Sequence, residues 1–309
     1  MSDKLLYKNN YENFNRIKPL TNVIFNILFI CLTVIMLVPV LFILSISFAK
    51  ESSIQEYGYQ LIPRIFSLDG YIFLYNQANM ILKALWISVF VTVAGTVIGV
   101  FLTTSMGYVL SRPQYRLKKF MTWLVFIPMI FNGGLVSSYY INVSQLHLKD
   151  SVWALILPLA VSSFNVIICK TFFRSTIPDS LVESAKIDGA PQLKIFFNIV
   201  LPISLPVLAT IGLFLSFAYW NDWFQSMLYI DNQDMYSLQA LLNKIMSQAD
   251  YLSRNAAALG ISAAEMSANM PKESARMAIA VLIVIPIACA YPFFQKYFAS
   301  GLTIGAVKE

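Results

Sequence analysis

The stretch ESAKIDGAPQLKIFFNIVLP, residues 183–202, interrupts a chain that is otherwise mostly apolar. Pro178 and Asp179 favour the start of a short helix over residues 178–187, and Gly189 follows it in a position that ends helices. Pro191 favours the start of a second short helix over 191–199. Neither helix is long or apolar enough to cross a bilayer. Together they predict an elbow over 171–199 that lies along the membrane and on which another molecule docks.

Composition places the rest of the chain in the integral membrane class. Of 309 residues, 58% are hydrophobic and 12% are charged, whereas soluble proteins carry about 25% charged residues. A membrane-spanning helix needs about 20 apolar residues. The sequence therefore predicts an all-α integral membrane protein with six transmembrane helices, at about 21–48, 84–111, 120–142, 151–170, 200–222 and 277–298.

The lysines and arginines set the orientation of these spans. The short loop SRPQYRLKK at 111–119 is densely basic, and such loops stay in the cytoplasm. This places both termini and the elbow in the cytoplasm, and it explains the net charge of +6 without a nucleic-acid partner. Pro202 and Pro206 permit a bend where the fifth span begins.

These spans divide the chain into an ordered set of segments. The first 49 residues hold a retained anchor, because its apolar stretch is too long for a signal-peptide core. In the outer loop, Leu238, Leu241, Leu242 and Ile245 share one face of a predicted amphipathic helix, and residues 256–266 favour another. The predicted segments are a cytoplasmic tail (1–20), the first transmembrane helix (21–48), an extracytoplasmic loop (49–83), a transmembrane domain (84–298) with the elbow at 171–199 and an outer loop at 225–275, and a cytoplasmic tail (299–309).

Several kinds of chemistry have no support in the sequence. No Asp, Glu, Lys, Arg or His lies in the interior of any predicted span, which weakens the hypothesis of an ion-coupled carrier. The dipeptide Gly-Lys never occurs, so there is no phosphate-binding loop. The sequence shows no nucleophile–base set and no metal-ligand cluster. We therefore expect no catalytic residue, no cofactor and no metal in this chain.

Small residues repeat every four positions along the second span. Gly95, Gly99, Thr103 and Gly107 fall on one helix face, where another helix backbone can approach closely. The pattern predicts packing within the chain, with a subunit interface as the alternative.

Aromatic and amide side chains gather near the predicted outer ends of the third and fifth spans. They have two interpretations, an interfacial aromatic belt or a surface on which a sugar stacks. Asn132 fits either a helix that lines a pathway or an ordinary interhelical hydrogen bond. The residues predicted to line a transport path are Asn132, Tyr139, Tyr140, Trp220, Asn221, Asp222 and Trp223.

The elbow resembles the EAA signature of permease subunits of ATP-binding-cassette importers. Glu183-Ser184-Ala185, then three residues, Gly189, then nine residues and an I-x-LP sequence ending at Pro202 reproduce its spacing. Ser184 departs from the usual alanine, a small residue in place of another. The sequences DGA at 188–190, YWNDWF at 219–224 and the C-terminal YPFFQKYFASGLTIGAVKE are similar to the carbohydrate-uptake branch, in the lipoprotein-dependent subgroup of maltose-type permeases. The resemblance covers most of residues 80–309.

The resemblance implies a type I importer permease fold, with a cytoplasmic coupling helix between spans four and five. It implies that ATP and Mg²⁺ bind two separate ATPase subunits and that a second permease, expected to be a different chain, completes the pore. An extracytoplasmic solute-binding protein would deliver a sugar or oligosaccharide at the bacterial cytoplasmic membrane. The alternative is an ATP-independent secondary carrier or facilitator for a small polar solute. The residues that the resemblance assigns to ATPase coupling are Glu183, Ser184, Ala185, Asp188 and Gly189.

Overall fold

The computed structural model describes residues 18–255 and 273–304, which are helical with short connections. The first helices are α1 (Pro19–Ser47), α2 (Glu51–Tyr57), α3 (Asp69–Asn76), α4 (Ala78–Ser111), α5 (Lys118–Ile130), α6 (Gly134–Tyr140), α7 (Val152–Ala160) and α8 (Ser163–Thr176). They are followed by α9 (Asp179–Ile187), α10 (Gln192–Ile203), α11 (Leu205–Trp220), α12 (Phe224–Tyr229), α13 (Leu238–Asn255) and α14 (Glu273–Ile304). Within these residues only an isolated bridge between Ala49 and Phe66 has β geometry, so the predicted all-α class is confirmed.

The chain forms two units, and each has its own contacts. Within the described residues, the first unit comprises 18–72 and 273–281, and the second comprises 73–255 and 282–304. In the first unit, the buried carboxylate of Glu51 accepts hydrogen bonds from the backbone N–H groups of Glu273 and Ser274, each at 3.1 Å. A carboxylate at this position satisfies the free N–H groups at the start of α14 and favours the positive end of that helix.

In the second unit, α4 is the central helix, against which α7, α8 and α11 pack. The glycine face predicted from the sequence is the contact surface. A Cβ added at Gly99 would lie 2.7 Å from the carbonyl oxygen of Ala160, and one at Gly107 would lie 2.5 Å from Cβ of Cys169. The ring of Tyr219 covers Gly95 in the same way. The prediction of close helix packing within the chain is therefore confirmed.

The predicted third span, 120–142, is interrupted. Helix α5 ends at Ile130, and α6 begins at Gly134, whose φ of +82° is a conformation that glycine adopts readily. Between them the side-chain oxygen of Asn132 accepts a hydrogen bond from the backbone N–H of Gly134 at 2.9 Å. The polar partner of Asn132 is thus the local backbone, and the two adjacent glycines of the sequence mark a break between two helices.

The fifth span, predicted to begin at about residue 200, is sharply bent near its start, where Pro202 and Pro206 were predicted to permit a bend. The second elbow helix, α10, continues to Ile203, and the chain then bends by 85° into α11. Pro206 lies in the first turn of α11, where a missing N–H costs least, so a helix starts there instead of passing through. The elbow is accordingly longer than 171–199 at its end. It is shorter at its start, because α8 runs to Thr176.

Among the residues that the structure describes, two helices, α1 and α4, are each long and apolar enough to cross a membrane. The pairs α7–α8, bent by 49°, and α10–α11 raise this number to four if each pair counts as one span. The count of six spans stays a prediction. The amphipathic helix predicted in the outer loop is confirmed as α13, with Leu238, Leu241, Leu242 and Ile245 buried, whereas the segment 256–266 lies outside the described residues.

The close approach at Gly99 generates a test by one small substitution. Gly99→Ala should destabilise the folded protein by about 1–3 kcal/mol, because backbone atoms of Ala160 stand where the methyl group would go. Gly212→Ala is the matched control, since a Cβ there would have its nearest neighbour at 3.8 Å. Inside a helix that change should be neutral or stabilising. Melting temperatures in detergent check both, and a Gly99→Ala protein as stable as Gly212→Ala would contradict the packing.

Candidate functional site

The elbow consists of α9 and α10, joined by a tight turn at residues 188–191. Gly189 has a φ of +81°, as its position in the sequence predicted. The N–H of Ala190 donates to the carbonyl oxygen of Ala185, and that of Gly189 donates to Lys186, both at 3.0 Å. This pair of bonds is the Schellman arrangement that ends helices at a glycine. Pro191 stands immediately before α10.

The two faces of α9 have different surroundings. Val182 and Ala185 are buried in the core of the second unit, together with Phe173 and Phe196. The small side chain of Ala185 therefore permits close approach of α9 to this chain's own core. Glu183, Ser184, Asp188 and Gly189 are exposed, so four of the five residues assigned to coupling are accessible.

The exposed surface of the elbow also carries large apolar side chains. Ile187 is 86% exposed and Leu193 is 72% exposed, on either side of the turn at Gly189. The carboxylate of Glu183 accepts a hydrogen bond at 3.3 Å from the amide of Gln114, in the loop that follows α4. Neighbouring exposed apolar side chains beside polar ones are typical of a protein-binding surface. The sequence pattern predicted the position of the elbow but not which of its apolar side chains are exposed.

The aromatic residues at the end of α11 do not form one surface. Trp220 is 8% exposed, and its indole N–H donates to the carbonyl oxygen of Ile283 at 3.3 Å. Tyr219 is also buried, and its hydroxyl donates to the carbonyl oxygen of Ile156 at 2.7 Å. Trp223 is 41% exposed and packs edge-on against Phe224. Trp220 and Trp223 were both predicted to line the transport path. Trp220 is buried between helices, whereas Trp223 is exposed.

Asn221 and Asp222 differ in how they are held. Asn221 is exposed, and its amide donates to the carbonyl oxygen of Phe217 one turn earlier, at 2.9 Å. The half-buried carboxylate of Asp222 accepts from the backbone N–H of Gln225 at 3.2 Å, at the start of α12. Asp222 therefore caps the start of a helix, whereas the side-chain oxygen of Asn221 accepts none of the hydrogen bonds found in the described residues.

The third-span residues have separate partners. The ring of Tyr139 stacks on that of Tyr229, with 5.9 Å between centroids. Tyr140 is exposed and accepts a hydrogen bond from Gln145 at 3.2 Å. Through Tyr139 the third span reaches α12, although none of the hydrogen bonds or ring contacts in the described residues joins Asn132, Tyr139 or Tyr140 to residues 220–223.

Tyr229 is a residue whose importance the sequence did not reveal. It is 2% exposed, its hydroxyl accepts from the amide of Asn142 at 2.9 Å, and its carbonyl oxygen accepts from the N–H of Asp150 at 3.0 Å. It belongs to the predicted outer loop 225–275, whose first residues are thus packed in the second unit. One tyrosine in the short stretch FQSMLYI, residues 224–230, gives no periodic signal by which it could have been found.

Residues 149 and 150 also bind residues 231 and 232 through electrostatic contacts. The carboxylate of Asp150 accepts hydrogen bonds from the backbone N–H groups of Asn232 and Asp231, which hold its pKa below the ordinary value. Lys149 forms an ion pair with Asp231 at 2.7 Å. Because the pKa of Asp150 is lowered by folding, this contribution to stability is present above the ordinary carboxyl pKa and is lost as the pH falls through the folded value.

Within residues 18–255 and 273–304, no group of three or more histidine, cysteine, aspartate or glutamate side chains is placed to hold a metal ion. The elbow and the C-terminal end of α11 are the two candidate functional regions.

Comparisons with known proteins agree with this arrangement. Residues 95–304 match the family model described as binding-protein-dependent transport system inner membrane component. The chain is 40% identical over 274 residues to the polygalacturonan/rhamnogalacturonan transport system permease protein YtcP of Bacillus subtilis, covering 89% of this chain and 93% of that one. It is 28% identical to the arabinooligosaccharides transport system permease protein AraQ of the same organism, covering 91% and 93%.

A solved structure is similar throughout. One chain of a bacterial ABC transporter involved in the import of the acidic polysaccharide alginate superposes with a TM-score of 0.74 and 26% identity, covering 92% of this chain and 100% of that one. The family match extends over most of the chain and includes both the elbow and α11. The chain belongs to the family of inner membrane components of binding-protein-dependent transport systems.

Proposed function

We propose that this chain is a permease subunit of an ATP-driven importer that moves a sugar or oligosaccharide into the cytoplasm. The observation that carries the proposal is the 40% identity, over 89% of the chain, to a permease named for polygalacturonan and rhamnogalacturonan transport. The alginate importer and the arabinooligosaccharide permease support the same substrate class. The family identification favours this function over an ATP-independent carrier or facilitator.

We also propose the arrangement of the chain in the membrane. The chain has six spans of the type I importer fold, both termini lie in the cytoplasm, and residues 49–83 and 225–275 face outward. The coupling helix between spans four and five is α9, and the coupling elbow extends from Asp179 to Ile203 through α10. ATP and Mg²⁺ bind the partner ATPases, and this chain contributes no catalytic residue.

The elbow transmits motion because its two faces have different partners. Ile187 and Leu193 dock in a groove on an ATPase subunit, while Val182 and Ala185 hold α9 to the core of the second unit. Movement of α9 is passed through the Gly189 turn to α10, and from Ile203 into α11 across the 85° bend. Since α11 packs along α4, the spans follow the elbow.

The apolar surface of α1 is not covered by this chain and can contact lipid or a second permease. Along α1 an 18-residue window of mean hydropathy 3.2 has none of its residues buried within this chain. Lipid or a second permease, expected to be a different chain, covers that surface. Two ATPase subunits and a solute-binding protein complete the importer.

Reconstitution tests the function directly. The chain should be assembled with its second permease, its ATPase subunits and its solute-binding protein in liposomes and offered labelled oligogalacturonides, arabino-oligosaccharides and raffinose. Uptake of at least one sugar should require both ATP and the solute-binding protein. Uptake that continues without ATP would instead support the facilitator.

Docking of the ATPase is tested at Ile187. Ile187→Glu should reduce the amount of co-purified ATPase about tenfold, because a charge replaces an apolar side chain in a desolvated groove. Ile62→Glu is the matched control, since Ile62 is 77% exposed and lies in the predicted extracytoplasmic loop. Pull-down stoichiometry measures both variants, and equal ATPase recovery from them would contradict docking through the elbow.

The turn at Gly189 is tested by two substitutions at one position. Gly189→Val should strain the elbow by about 1–2 kcal/mol, because a side chain disfavours the left-handed conformation, and uptake and ATPase binding should both fall. Gly189→Asn should retain most of both, since asparagine tolerates positive φ and no atom of the protein lies within 4 Å of an added Cβ. Normal uptake by the valine variant would remove the turn from the mechanism.

The solute path is tested at Asn221. Asn221→Leu should slow uptake about tenfold, as expected when one hydrogen bond to the moving solute is lost, and leave the assembled complex with its basal ATPase activity. Asn255→Leu is the control, because the Asn255 amide makes the same bond to the carbonyl one turn earlier, at 2.8 Å. Wild-type uptake rates for Asn221→Leu and Asp222→Leu alike would move the path to the third span around Asn132.

A further inference from the structure

Arg112, the residue immediately after α4, contacts three separate elements through one guanidinium group. Its Nη1 donates to the carboxylate of Asp179 at 3.0 Å, in the first turn of α9. Its Nη2 donates to the carbonyl oxygens of Phe173 and Ile177 at 3.0 and 3.4 Å, at the end of α8. Its Nε donates to the hydroxyl of Ser111 at 3.0 Å. The side chain thus joins the ends of α4 and α8 to the start of α9.

The guanidinium is held in this position by its surroundings. The side chain of Arg112 is 12% exposed, and its Cζ lies 5.4 Å from the centroid of the Tyr108 ring. Asp179 has a second cationic partner, Arg174, whose Nη1 lies 3.0 Å from the other carboxylate oxygen but whose side chain is 55% exposed. An ion pair weakens with exposure, so the Arg112 contact is the stronger of the two.

The bonds of Arg112 bridge the joint between span and elbow. Only Ile177 and Pro178 lie between α8 and α9. Rotation about the backbone there would swing α9 as a whole. Arg112 binds the carbonyl oxygen of Ile177 on one side of this joint and Asp179 on the other. Two other attachments are weaker in direction: the apolar contacts of Val182 and Ala185 are non-directional, and the hydrogen bond from Gln114 to Glu183, at 3.3 Å, is exposed.

We propose that Arg112 is a positioning residue for coupling, which fixes the angle of α9 so that α9 and α4 move as one body. The inference rests on the proposed function and adds a second path by which motion of the elbow reaches the spans. Motion of the elbow then enters the central helix directly, in addition to the route through α10 and α11. Without the guanidinium, α9 stays docked on the ATPase but turns at the 177–178 joint, and ATP is hydrolysed without full movement of the spans.

The test measures sugar molecules taken up per ATP hydrolysed, in the complete complex with its solute-binding protein in liposomes. Arg112→Lys keeps the charge but cannot reach Asp179, Phe173 and Ile177 together. Asp179→Asn removes the charge partner and leaves the carbonyl contacts. Both variants should lower the ratio at least about fivefold while the complex stays assembled and ATP hydrolysis continues, an effect that a loss of stability alone would not produce.

Two further variants separate Arg112 from its neighbours. Arg174→Gln removes the exposed partner of Asp179, and Arg116→Lys repeats the conservative change at an exposed arginine of the same loop. Both should keep the wild-type ratio within about twofold. The double variant, Arg112→Lys with Asp179→Asn, should take up no less sugar per ATP than the more impaired of the two single variants. The effects should not add, because both changes remove the contact between residues 112 and 179.

A wild-type ratio in Arg112→Lys would overturn the inference, as would a proportional loss of uptake and ATP hydrolysis in both single variants. If Arg112→Lys does not assemble, the ratio in Asp179→Asn decides. Failure of the proposed function would appear differently, as a wild-type complex without ATP-dependent sugar uptake, and the inference would fall with it. Failure of the inference alone leaves wild-type uptake intact.

Discussion

The contact of α4 with its neighbours through Gly95, Gly99 and Gly107 is the interaction on which the second unit depends. With no side chain at these positions, Tyr219, Ala160 and Cys169 reach the backbone of α4. Close backbone contact replaces the hydrophobic driving force that helices lack in lipid. Helices α7, α8 and α11 are positioned by this face. The elbow connects α8 to α11, so its position depends on the glycines of α4.

Local features of the fold could be predicted from the sequence, because they depend on residues close together in the chain. The turn at Gly189, the glycine face of α4 and the amphipathic helix α13 each follow from spacing within one segment. The start of α11 could not be placed in this way. Pro202 and Pro206 allow a bend anywhere between them, and in the structure it falls between Ile203 and Leu205.

The candidate site was less predictable, since burial depends on which surface covers a residue. Composition identified Trp220, Ala185 and Ile187 as apolar or small but did not distinguish among the core, lipid and a partner protein. In the structure, Trp220 and Ala185 face the core, whereas Ile187 is exposed. In the sequence, Arg112 stood out only as one basic residue in a loop predicted to be cytoplasmic. Its contacts with α8 and α9 require the folded chain.

The carboxylate of Glu51 has a consequence for how the protein is made. It completes the first unit by binding the start of α14, 222 positions further along the chain. A ribosome delivers α1 and α2 to the membrane long before it has synthesised Glu273. During that interval the carboxylate has no helix end to bind, and α1 is held by its own apolar length. The first unit, although it begins the chain, is therefore among the last parts to be completed during biosynthesis.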